Sequence, residues 1–154
     1  MMTKNKAVAA IIALVEKRDY VTFVEIGNAV PGFNRRRGEE GFMVGLHKSE
    51  GGMRVYWLMS DFGSEVFDAV KSKVAMMPAH PLTYVADGGW PQLKPPDEFF
   101  PVVLRPVRTT NFIAGDGSNI AVPADQWPTL RRSLGKEAAA TGRAKAKAFV
   151  AALP

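Results

Sequence analysis

Apolar residues recur along the first part of the chain at helical spacing. Val8, Ile11, Ile12 and Val15 fall at i, i+3, i+4 and i+7, the stripe of an amphipathic helix, and Thr3 stands where it can cap the first turn. After a short β-like run, "DYVTF", the stretch "TFVEIGNAV" predicts a second helix. Phe23, Ile26 and Val30 share its buried side, Thr22 is its cap and Pro31 its end. Residues 32 to 52 hold six glycines, a density that predicts loop. "MRVYWLM", 53 to 59, predicts a strand with Met53, Val55, Trp57 and Met59 on one face and Arg54, Tyr56 and Leu58 on the other. Ser60 then caps a third helix, "DFGSEVFDAVKSKV", with a core stripe of Phe62, Val66, Ala69 and Val70. "VAMM-PAHP-LTYVADGG" reads as strand, proline-framed turn and strand, closed by Asp87-Gly88-Gly89.

The order helix, short strand, helix, strand, helix, β-hairpin resembles the winged-helix arrangement over residues 3 to 89. The stretch 31 to 59 is longer than the tight turn that the simplest such folds place between their second and third helices. The fold class expected is α+β: a winged-helix-like three-helix core with a β-hairpin, then a small β-hairpin segment and a basic C-terminal helix. Residues 1–90 form the winged-helix-like domain in this reading. "WPQLKPPDEFFP" marks a proline-rich linker at 91–101, because its prolines forbid helix and disfavour a central strand. Residues 102–154 hold the strand "VVLRPV", a hairpin "NFIA-GDGS-NIAV" and an alanine-rich helical tail.

Composition narrows this little. With 154 residues, 47% of them apolar and 23% charged, the chain is one domain, or one with an appendage. It has no cysteine, which excludes disulfides, thiolate metal sites and thiol nucleophiles. The N-terminal apolar stretch follows Lys4 and Lys6 as a secretory signal would. It stops at Val15 and runs into Glu16-Lys17-Arg18-Asp19 with no small-residue cleavage site, so it reads as a core helix. A cytoplasmic location and no membrane partner are expected.

Candidate chemistry is sparse. The two histidines, His47 and His80, lie in a glycine-rich loop and between two prolines, with no ligand or carboxylate at useful spacing. Asp61-Phe62-Gly63 matches a kinase tripeptide without the other kinase motifs, and "GDGS" at 115–118 lacks the lysine and helix of a phosphate loop. No catalytic residue, metal or cofactor is expected, and the chain reads as a non-enzyme.

Charge is the remaining signal. The net charge is +5, but residues 61–100 carry three Lys/Arg against six Asp/Glu, so the expected reading head is the acidic part of a basic protein. In the winged-helix likeness the third helix would face the major groove, and its Asp61, Glu65 and Asp68 would meet phosphates with like charge. Two basic places are left. One is Arg35, Arg36 and Arg37 in "GFNRRRGEEG", where Glu39 and Glu40 nearly cancel the charge. The other is the tail, where Arg132, Lys136, Arg143 and Lys147 align on one stripe of a helix. The first reading is a non-catalytic protein that associates with nucleic acid through these seven residues, electrostatically and with weak sequence preference. The alternative is a protein-interaction module, able to self-associate, that uses Asp61, Glu65 and Asp68 of the third helix, Trp90, or a hairpin edge.

Overall fold

The computed structural model describes residues 2–36, 38–48, 50–79, 81–89, 91–106, 122–126, 128–129 and 132. The fold is mixed α+β. Three helices start at the hydroxyl caps expected of them. In α1 (Lys4–Arg18) Thr3 Oγ1 accepts from the Lys6 amide, and in α2 (Phe23–Ala29) Thr22 Oγ1 accepts from the Glu25 amide, both at 3.3 Å. In α3 (Asp61–Val70) Ser60 Oγ accepts from the Gly63 amide at 2.9 Å. Of the expected stripes, Val8, Ile11 and Val15 of α1 and Phe23, Ile26 and Val30 at α2 are buried, and Ile12 is half-buried at the edge. On α3 the buried stripe is Gly63, Val66, Phe67 and Val70, so its centre is shifted toward Phe67, with Phe62 and Ala69 half-buried at its edges.

The strand expected at 53–59 exists, and the glycine-rich segment before it is also a strand. β1 (Phe42–His47) pairs antiparallel with β2 (Met53–Met59), and the register slips by one residue at Val44/Gly45, leaving Tyr56 unopposed. A Cβ at Gly45 would collide with the Arg54 carbonyl, so this glycine permits close approach of two strands and does not mark a loop. β2 is buried on both faces from Arg54 to Met59, not on alternate residues. Tyr56 meets Phe100 edge-on at 5.4 Å, and Trp57 stacks on Phe23 at 5.8 Å.

Of residues 82–89, expected as the second strand of a hairpin, 82–87 belong to a helix. β3 (Val74–Pro78) is followed by α4 (Pro81–Asp87), and Gly88 and Gly89 close it by donating to the Tyr84 carbonyl. Proline suits a first helical position, and Thr83 and Tyr84 are both buried in the helix that follows it. β3 pairs instead with β5 (Val102–Pro106), antiparallel. Between them β4 (Glu98–Phe99) joins β2 in parallel, and β6 (Val122–Pro123) lies on its far side, giving the order β1-β2-β4-β6. Residues 91–101, expected as a linker, thus place Phe99 and Phe100 in the same core as α1, α2 and α3. The hairpin expected around 115–118 lies outside the described residues, as does all but Arg132 of the basic stripe in the tail.

Val21 bridges Leu104 at the turn from α1 into α2. The corner is held by Asp19, whose carboxylate accepts two bonds from Arg105 at 2.9 Å each, while the same guanidinium lies 4.0 Å over the Tyr20 ring. Asp19 and Tyr20 have φ of 52° and 48°, a conformation costly to both, and the fork and the stacked ring keep them there.

Candidate functional site

Strand β1 is an edge of its sheet. An edge strand leaves one row of main-chain N–H and C=O groups without a neighbouring strand, and proteins commonly blunt such edges with charge. Here the strand carries Phe42, Met43 and Leu46, exposed by 50%, 46% and 38%, the large apolar side chains that stand out among the described residues. Charge is confined to the flanks: Glu39 and Glu40 precede the strand and Lys48 follows it. Lys48 Nζ is 3.0 Å from Glu98, whose other oxygen takes Arg54 Nε at 3.1 Å.

A cleft opens on the other edge of β2. Pairing there runs with β4 at Arg54 and Val55 and resumes with Asn34 at Met59, so the interval between has no strand partner among the described residues. A cavity of about 320 Å³ occupies this place. Trp57, Leu58 and Pro91 line it with buried apolar surface, and half-buried Arg35 and exposed Gln92 add polar groups. Asn34 Oδ1 accepts from Trp57 Nε1 at 2.7 Å and holds the indole in place. The Arg35 main chain is anchored through its amide to the Leu58 carbonyl at 3.4 Å. Its aliphatic stem crosses Gly41 so closely that any Cβ there would collide with it.

The candidate residues named from sequence are distributed as follows. Arg35 is half-buried in the cleft wall, Arg36 is exposed beside it, and Arg37 lies outside the described residues. Among the described residues no ion pair joins Arg35 or Arg36 to Glu39 or Glu40, all of which have described positions. Arg132 is exposed, 3.4 Å from the Thr129 hydroxyl, while Lys136, Arg143, Lys147 and Trp90 lie outside the described residues. Asp61, Glu65 and Asp68 all stand exposed on α3, the last 2.9 Å from Lys71. Reading the sequence passed over Phe42, Met43 and Leu46, since the glycines on either side had assigned them to loop. It also passed over the pairing of Arg35 with Trp57 and Gln92, which lie far apart in the chain.

Among the described residues no group of three His, Asp or Glu side chains is placed to hold a metal ion, and no helix is long and apolar enough to cross a membrane. Comparison with protein-family models, with curated proteins and with solved structures finds no match to this chain.

Proposed function

We propose that the chain is a non-catalytic protein-interaction module that associates with a second copy of itself along β1. The observation that carries this reading is the exposure of Phe42, Met43 and Leu46 on a strand whose outer edge has no partner among the described residues. Adding a strand satisfies main-chain groups and buries apolar surface in one step. The occupant follows from the strand's own sequence. Antiparallel pairing about a two-fold axis through Val44 keeps like faces of the two sheets together. It sets Phe42 of one copy opposite Leu46 of the other, twice over, so apolar side chains meet in the middle of the join while Lys48 stays on Glu98.

The test is sedimentation equilibrium of the full chain from micromolar to millimolar concentration, beside a F42S/L46S variant. Each serine removes about 1 kcal/mol of burial, four times per dimer, so the variant dimerises at least about a hundredfold more weakly while its circular dichroism is unchanged. A wild-type chain that stays monomeric across the range removes the reading.

Association with nucleic acid is a second reading. It is supported by the exposed Arg36 and by the lack of an ion pair between the arginines and their neighbouring glutamates among the described residues. The winged-helix likeness enters it only through the order of α1, α2, β2 and α3, since the exposed face of α3 is acidic. Contact through arginines alone would follow the salt dependence of phosphate neutralisation, a log–log slope of about 0.9 per phosphate. A flat anisotropy titration with duplex and single strands at low salt dismisses it.

A further inference from the structure

We infer that the cleft beside β2 is a binding site for a small organic carboxylate with an apolar body, held by Arg35. The inference goes beyond the self-association proposed above and does not depend on it.

Burial and charge together single out Arg35. Four lysines and arginines among the described residues are buried or half-buried: Arg35, Lys48, Arg54 and Arg105. Lys48 and Arg54 share the Glu98 carboxylate, and Arg105 has the Asp19 fork. Arg35 has no carboxylate within ion-pair distance among the described residues, although Glu39 and Glu40 are only four and five positions away in sequence. A cation drawn partly out of water without a counter-ion is destabilised, and an anion arriving beside it recovers that loss. A guanidinium is also the side chain best shaped for two parallel bonds to a carboxylate.

The setting is built and not incidental. Gly41 makes room for the Arg35 stem, and the amide anchor to Leu58 fixes its main chain. Asn34 locks the Trp57 indole, which is further clamped by Phe23 stacked at 5.8 Å and by Tyr84 at 5.8 Å on a tilt. A wall whose rotamers are already fixed loses little entropy when a ligand arrives. The volume, about 320 Å³, is at the small end for ligand pockets, which favours a compact molecule. Arg35, the cation among the described lining residues, calls for a negative charge. The buried surface of Trp57, Leu58 and Pro91 calls for an apolar body, and Gln92 at the rim supplies an amide for a second polar contact.

The experiment titrates the ¹⁵N-labelled full chain with sodium benzoate, with benzamide and with inorganic phosphate, following the Trp57 indole N–H. Benzoate and benzamide have nearly the same shape and differ in charge, so this comparison does not depend on any variant folding. Benzoate shifts the Trp57 signal saturably and binds about tenfold or more tighter than benzamide, the difference expected of a charge-assisted bond. Phosphate, which has no apolar body, binds more weakly than benzoate. R35Q brings benzoate down to the level of benzamide. Equal binding of benzoate and benzamide, phosphate as tight as benzoate, or a Trp57 signal that no probe moves each overturns the inference.

Discussion

Tyr84→Phe removes a single oxygen and keeps the ring, so it isolates what one buried hydroxyl contributes. Tyr84 is fully buried, its ring edge-on to Phe99 at 5.0 Å. Its hydroxyl accepts from the Phe23 amide at 3.2 Å and donates to the Val102 carbonyl at 2.7 Å. Among the described residues neither group has another hydrogen-bond partner. The Phe23 amide opens α2, where first-turn N–H groups lack helical acceptors. Val21 exchanges both of its bonds with Leu104, at 2.9 and 2.8 Å, so alternate residues of β5 turn their main chain away from β3. Val102, two residues before Leu104, turns the same way, and the Tyr84 hydroxyl meets its carbonyl. The substitution therefore loses two bonds at about 1 kcal/mol each and leaves a buried N–H unpaired at about 1–3 kcal/mol, or roughly 3–5 kcal/mol in sum. That is a large part of the 5–15 kcal/mol, roughly, by which domains are stable.

Urea unfolding followed by circular dichroism at pH 7 measures this loss, and the same series at rising pH gives a second signature. Burial pushes the Tyr84 phenol well above its ordinary range. The folded value lies above the unfolded one, so the contribution is complete below about pH 10 and is lost as pH rises beyond it. The gap between wild type and Y84F should then shrink by up to about 1.4 kcal/mol per pH unit above that point. Burial raises Tyr56 as well, but both proteins retain it, so it cancels in the difference. A gap under about 0.5 kcal/mol at pH 7, or one that does not change at alkaline pH, refutes the reasoning.

Ser60→Ala removes the α3 cap and the bond from its hydroxyl to the Phe33 carbonyl at 3.1 Å, and should cost about 1–2 kcal/mol in thermal unfolding. Arg105→Lys keeps the charge but gives up the planar fork on Asp19 and the stacking on Tyr20. It should destabilise by about 1–2 kcal/mol and open the corner at residues 19–21 to faster amide exchange, a change that simple loss of a surface ion pair would not produce.

The helices were legible in the sequence because their signals are local. Thr3, Thr22 and Ser60 each bond an amide three residues on, and the apolar stripes need nothing beyond the helix itself. What was not legible depends on distant partners. The run 81–87 is too short for periodicity to separate helix from strand, and a Tyr84 hydroxyl that bonds residues 61 positions earlier and 18 later decides the matter. Gly45 looks like a loop residue until the Arg54 carbonyl is set against it. The prolines around Glu98-Phe99 did exclude helix, but two residues between them suffice to pair with β2, and Phe99 and its neighbour Phe100 go inside. Burial of β2 on both faces has the same origin, since alternation is lost once elements cover both sides of a strand.

Charge behaves in the same way, and the arginine loop shows why a sum along the chain is a poor guide to a site. Counted in sequence, Glu39 and Glu40 nearly cancel Arg35, Arg36 and Arg37, and the segment looks like a solvated loop. In space the two glutamates stand exposed, while Arg35 is turned inward across Gly41, a position where a side chain would have forced it out. The glycine that made the segment read as loop is thus what seats the arginine against Trp57 and Leu58. The converse holds at Glu98, which counts toward the acidic middle of the chain yet is spent on Lys48 and Arg54. The acidity exposed on α3 therefore comes from Asp61 and Glu65, with Asp68 beside Lys71, and not from the segment's net charge. Whatever binds this protein meets the charges left without an internal partner, and those are set by packing.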